Sequence, residues 1–193
     1  MTTKTSVLFQ NALTVNVSIL QQGEASMKIP TIDNQIIKIP LTQKQVALIN
    51  MEDYQLVNQF KWYAHRDWNH GSSTFYAKTN IRKDGKIIIC SMHRLIMNAQ
   101  KEQKIDHKDM NGLNNCRNNL RFANMSQNRA NTRKKRGNMS SQYKGVFWSK
   151  KDKKWIAKIK GISIGYFINE QEAAFAYDNK AKKIFREFAR TNF

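Results

Sequence analysis

An adjacent Asp106-His107 pair opens an asparagine-rich stretch, IDHKDMNGLNNCRNNLRFANMSQN over residues 105–128. Hydrolysing a phosphodiester takes an activated water, a counter-charge for the developing oxyanion and scissile oxygen, and a means of holding both in line. Side chains of the right kind for all three occur here. Asp106 offers a hard carboxylate and Asn128 a neutral carboxamide oxygen. Two oxygen ligands, with the remaining positions left to water and phosphate, suit one Mg2+ or Mn2+ rather than zinc. His107, with an ordinary pKa of about 6.5, is largely neutral near pH 7 and can take a proton from water, so it is a general base rather than a ligand. Asn119 follows the loop from Lys108 to Asn115 and can clamp it through bonds to backbone groups, a positional share in catalysis. Composition alone is equally met by an Asx-turn loop with an incidental His. Order and spacing favour the chemistry.

These groups need particular elements to position them. Neighbours on an ideal strand point to opposite faces, so Asp106 and His107 address one phosphate only from a strand end or a distorted turn. The preceding MHRLIM, Met92 to Met97, presents His93 and Arg94, and Arg117, Arg121 and Arg129 flank the stretch. Each is a candidate for phosphate contact, because a guanidinium fits the anion bidentately, although an exposed solvated role suits any single one equally. For His93 the commoner fate on an apolar segment is a satisfied core position.

Charge says what such a site would act on. The chain has 193 residues, 33 Lys+Arg against 14 Asp+Glu, a net charge of +19 and a pI near 10.1. A hydrophobic content of 40% is too high for a disordered basic tail, and so large a positive excess calls for a polyanionic partner, which makes double-stranded DNA the leading one. Residues 1–90 carry +4, 91–141 carry +8 and 142–193 carry +7, which puts the electrostatic footprint in the last hundred residues. Two cysteines, Cys90 and Cys116, build no disulfide scaffold, and without C-x-x-C there is no thiolate zinc knuckle. No run approaches the roughly 18 apolar residues of a membrane span. Residues 1–27 read as a leader or loosely held extension, and the expected location is the cytoplasm of a bacterial or phage-infected cell.

The expected fold class is α+β. Residues 28–91 form an accessory β-rich region. In it, Ser73 to Ile81 alternates and Asp84-Gly85 supplies turn residues before Ile87 to Cys90, a hairpin. The aromatics Trp62, Tyr63, Trp68, Phe75 and Tyr76 are assigned to its core. Residues 130–141 read as a basic linker, with Arg133, Lys134, Lys135 and Arg136 placed to track a phosphate backbone over at most roughly 40 Å. In residues 142–193, strands at Tyr143 to Trp148, Lys154 to Lys160 and Ile162 to Phe167 predict a three-stranded antiparallel sheet. A helix from Glu170, capped by Asn169, packs on it, leaving a lysine-bearing face bare for a groove.

Two motif sets carry a resemblance. Ile105 to Asn128, with DH, a central Asn and a terminal Asn in order, resembles the HNH nuclease family with its ββα-metal finger, in the phage and intron homing variant, and MHRLIM matches the stretch that leads into it, which sets the finger at residues 92–129. The resemblance implies Asp106 and Asn128 as ligands of the divalent ion, His107 as base and Asn119 as the central Asn. The usual final His is replaced by Asn128. YKGV, GYF, EAAFAYD and ARTNF in the last module resemble the Apetala-type ethylene-response-factor DNA-binding domain, whose strands read the major groove. That implies contacts from Lys144, Trp148, Lys158 and Lys160. Together these imply a site-directed, metal-dependent homing endonuclease, acting as a monomer on DNA. The alternative is a DNA-binding regulator with a decayed finger.

Overall fold

The alternation in Ile36 to Pro40 and again in Val46 to Asn50 makes the first hairpin of the computed structural model, β1 (Ile36–Pro40) against β2 (Val46–Asn50). The structure describes residues 36–68, 74–83, 85–134, 137 and 139–193, all within the unit 34–193. The leader expected at 1–27 lies outside the described residues, as do Lys135 and Arg136. Beyond β2 the mixed apolar spacing resolves into a short 3-10 turn, Met51–Asp53, and one turn of helix, α1 (Tyr54–Val57).

A second antiparallel sheet follows in the order β3 (Tyr63–Asp67), β4 (Thr74–Lys83), β5 (Lys86–Ser91). Lys83 pairs with Lys86, so the hairpin closes where its turn residues predict, with Gly85 at φ +73 as such a turn requires. Ala77 and Thr79 turn inward on β4, as period-2 spacing predicts. Ile87, Ile88 and Ile89 on the edge strand are exposed. Of the aromatics assigned to the core, Trp62 is buried and donates to the Val57 carbonyl at 2.8 Å, whereas Trp68 is 70% exposed with the Arg66 guanidinium 3.9 Å over its ring. Trp68 stands just beyond the end of β3, where no strand among the described residues covers it.

The short helix α2 (Met92–Ile96) leads to β6 (Ile105–His107), paired antiparallel with β7 (Leu120–Phe122), and then to α3 (Met125–Ala130). Asn124 starts α3 with a capping box, its side chain accepting from Gln127 N while Gln127 reaches back. This finger does not have a core of its own. Ala47, Ile49, Val57, Trp62 and Ala77 bury together with Met92, Ile96, Leu113 and Leu120. The loop between β6 and β7 is stitched to β2 by Leu48 N to Leu113 O and Asn115 N to Leu48 O, both 2.8 Å. The expected accessory region and finger therefore share one apolar interior.

The last module is a three-stranded antiparallel sheet, β8 (Val146–Ser149), β9 (Lys154–Ile159), β10 (Ile162–Phe167), covered by α4 (Glu170–Phe185). Val146, Ala157 and Ile159 pack against Ala173, Ala174, Tyr177 and Ala181. The small alanines let the helix sit close, and Gly145 sits so close to the Tyr177 ring that a Cβ there would overlap it. Lys160 and Gly161, at φ +49 and +81, form the two-residue turn from β9 to β10, the left-handed pair a tight hairpin demands.

The described part of 130–141 does not span a gap. Arg190 N donates to Ala130 O at 3.2 Å, Lys134 Nζ to Tyr143 O at 2.6 Å, and Trp148 N to Ser140 Oγ at 2.9 Å. Phe188, just beyond the end of α4, buries against Ala123 and Ala130. Finger and sheet module thus touch directly.

Candidate active site and nucleic-acid interface

The β6–β7 register decides what Asp106 meets. Asp106 lies opposite Arg121, and directly opposed residues share a face, so the buried carboxylate and guanidinium pair. Arg121 Nε and Nη2 reach Oδ2 of Asp106 at 2.9 and 2.8 Å. The same guanidinium donates through Nη1 to Glu187 O at 2.7 Å and lies 4.0 Å from the Phe188 ring centroid. From α3's C-cap, Asn131 Nδ2 stands 3.1 Å from both Asp106 oxygens and 2.9 Å from the His107 carbonyl. The amide on Asp106 is therefore Asn131. Asn128 is exposed, one turn earlier and on the same side of the helix, since residues three apart share a face.

His107 ends β6, and its buried ring faces away from Arg121 toward other partners. Nε2 lies 3.4 Å from Asn115 Oδ1. The Asn115 amide is oriented by its own Nδ2, which donates to Leu113 O at 3.2 Å and faces Met92 Sδ at 3.4 Å. An amide oxygen can only accept, so Nε2 of His107 carries the proton and Nδ1 keeps the lone pair. Burial pushes the His107 pKa below its ordinary 6.5, against the Asn115 hydrogen bond and the charges of Asp109 and Asp106, which raise it. Around the ring stand His93, at 5.1 Å between centroids, and Tyr76, at 5.9 Å. His93 is held well below the usual range, at about 3, by burial first and then by His107, Arg94 and Lys78.

Asn119 clamps the loop. Its Oδ1 accepts from Asp109 N at 3.0 Å, and its Nδ2 donates to Asp109 Oδ1 at 2.9 Å and Asn114 O at 2.8 Å. Met110 at φ +64 and the tight seat of Gly112 on the Phe75 carbonyl and Tyr76 ring complete that turn.

Several basic residues expected on phosphate are already engaged. Arg94 donates to the carbonyls of Gln103 at 2.7 Å and Gln100 at 2.6 Å, with Ala99 and Lys101 farther off, tying the loop after α2. Arg117 binds the buried Asp53 at 2.6 Å and Glu52 at 3.2 Å. Lys144 Nζ donates to Ala130 O at 2.5 Å and Thr132 O at 2.7 Å, and burial lowers its pKa to about 8. Arg129 and Arg133 are exposed.

On the last sheet, register again assigns the faces. Trp148 opposes Trp155, 5.0 Å between ring centroids, and shares the strand face of Val146, yet on the edge strand it stays exposed. Lys160 stands in the turn with its Nζ 5.1 Å over the Phe185 ring. The face away from the helix carries Phe147, Ile156 and Tyr166 in one cross-strand row, Ile156 buried between its two exposed neighbours, with Lys154 opposite Ser149 and Lys158 opposite Ser163. Lys154 and Lys158 are exposed.

Sequence reasoning missed Tyr76, Asn115 and Asn131. Asn131 acts on Asp106 across 25 positions and Tyr76 meets His107 from another sheet, whereas Asn115 stands eight positions from His107 among asparagines that residue type does not tell apart. A usable signal for Asn131 is its i+3 spacing from Asn128 on a capped helix.

Among the described residues no group of three or more His, Cys, Asp or Glu is gathered to hold a metal, and no helix is long and apolar enough to cross a membrane. No family model matches the chain, and no solved structure does. A protein of Acanthamoeba polyphaga mimivirus described as an uncharacterized HNH endonuclease is 30% identical over 155 residues, 76% of this chain and 74% of the relative.

Proposed function

This chain belongs to the HNH endonuclease family, and we propose that it is a site-directed DNA endonuclease of homing type, cutting one phosphodiester per visit. The observation that carries the reading is the buried His107, its Nε2 set against Asn115 Oδ1, in a finger whose neighbouring carboxylate is Asp106. His107 Nδ1 takes a proton from water while the water oxygen bonds to phosphorus and the bond from phosphorus to the leaving oxygen breaks. Burial keeps the imidazole neutral near pH 7, ready for that proton. Asn119 acts by holding the loop, and Asn115 by holding the ring.

The donor set fits one hard divalent ion such as Mg2+ or Mn2+. Both guanidinium bonds fall on Oδ2 of Asp106, so Oδ1 keeps a lone pair beside Asn131, and Asn128 offers a neutral oxygen one turn away. Asp106 and Asn128 would hold the ion, which supplies Lewis-acid stabilisation of the phosphate and leaving oxygen. Asn131 and Arg121 keep the carboxylate in place.

The open face of the last sheet would meet duplex DNA, as its resemblance to the Apetala-type domain implies, with Lys154 and Lys158 on phosphates and Phe147 and Tyr166 against the groove wall. Arg129 and Arg133 extend that contact along the backbone. A single chain with unlike linked surfaces suits a long asymmetric site, hence a monomer on DNA. The regulator reading is favoured by one observation, the guanidinium of Arg121 on the carboxylate that an ion would need. Supercoiled plasmid incubated with the full chain in Mg2+ or in EDTA separates the two. Nicking in Mg2+ alone supports the endonuclease, and equal binding in both without nicking supports the regulator.

A further inference from the structure

His93 is the second imidazole of this neighbourhood, and the chemistry above leaves it unused. It sits on α2, between the buried Met92 and Ile96, and its ring meets His107 edge to face at 5.1 Å with Tyr76 at 5.8 Å from it. Its Nδ1 is buried with no hydrogen-bond partner among the described residues. A buried polar atom left unpaired costs on the order of 1–3 kcal/mol, so a nitrogen in that state beside a general base calls for a partner that comes with the substrate. Packing alone would be met by a phenylalanine at no such cost.

Resting on the endonuclease reading, we infer that His93 is a further catalytic residue, whose neutral Nδ1 accepts the second hydrogen of the attacking water. A water has two O–H bonds. One points to His107 Nδ1, which takes that proton, and the other to His93 Nδ1, which keeps its hydrogen bond without taking a proton. With both O–H bonds engaged, the lone pairs of the oxygen stay free, and one of them attacks phosphorus. The two imidazoles are immediate neighbours, 5.1 Å between ring centroids and 82° to one another. Holding the nucleophile from two sides removes its rotational freedom before the reaction, which is the share of the barrier that positioning supplies. The burial that keeps His93 uncharged suits this role, since a cationic ring would have no lone pair to offer.

The test compares the full chain with His93→Phe, which keeps the ring and its packing, and His93→Gln, which restores an acceptor. Single-turnover plasmid nicking in Mg2+ is read beside duplex affinity in EDTA and thermal midpoint. His93→Phe should lose roughly 100-fold in cleavage rate with affinity and midpoint retained, and His93→Gln should recover most of it. A fully active His93→Phe overturns the inference alone. So does a folded His93→Gln as inactive as His93→Phe. A wild type that cuts no duplex overturns the endonuclease reading and this inference together. Should either variant fail to fold, nitrogen-15 spectra of the wild-type imidazoles decide, with an unprotonated Nδ1 on His93 expected and a protonated one contradicting it.

Discussion

Residues 91–141 and 142–193 carry +8 and +7. In the finger three of the four named arginines are engaged within the protein, while Arg129 is exposed. Arg94 ties backbone carbonyls, Arg117 neutralises Asp53, and Arg121 neutralises Asp106 while reaching the Glu187 carbonyl. In the sheet module, Lys154 and Lys158 stand exposed on an open face beside an apolar row. Net charge by segment therefore measures how much positive charge a region holds, not how much it presents. In a finger built of short strands and long loops, guanidiniums replace the ladder bonds that longer strands would supply. A longer sheet satisfies its own backbone and leaves its lysines to a partner.

The sharpest way to break this contrast is Arg121→Leu. It strands the Asp106 carboxylate in a buried setting with Asn131 as its remaining partner, and should cost about 3–5 kcal/mol in denaturant unfolding. A loss under about 1 kcal/mol would mean the pair is peripheral, as exposed pairs are. The converse substitution, Lys154→Ala with Lys158→Ala, should leave stability within about 0.5 kcal/mol. It should lower the slope of log affinity against log salt by about 2, one for each phosphate that the two lysines no longer neutralise. An unchanged slope would move the DNA footprint off this face.

A smaller effect concerns acid. His93 titrates at about 3 in the folded chain against about 6.5 unfolded, so below pH 6.5 the unfolded state binds a proton the folded state does not. Its contribution is therefore fully present above pH 6.5 and is lost as pH falls from about 6.5 toward 3. His93→Phe should flatten the thermal midpoint across that window, and an unaltered profile would show that the ring is protonated in the fold.

The module that presents its charge is also the more legible one. Strand and helix bounds in 142–193 follow from period-2 and period-3.6 spacing to within a few residues, because the core side chains of the sheet and helix pack on one another within the module. Its faces are read less well. Trp148 shares parity with the buried Val146 but stays exposed on the edge strand, and Lys160 leaves the strand because a two-residue turn claims it. In the finger, residue type alone singles out Asp106 and His107, and Asn119 as the clamp. What each touches depends on packing that local spacing does not encode, from β4 for Tyr76, from the cap of α3 for Asn131 and from the loop on β2 for Asn115. The shared core of 36–122 is hidden for the same reason, since charge and composition change across 91 while packing does not.

The central claim is that the His107 imidazole, with its lone pair fixed on Nδ1, activates the water that cuts DNA. Single-turnover nicking by His107→Ala beside the wild type, at saturating duplex and in Mg2+, tests it most directly. The account predicts a loss of roughly 100- to 10,000-fold with duplex affinity retained. Cleavage by His107→Ala at the wild-type rate would contradict it.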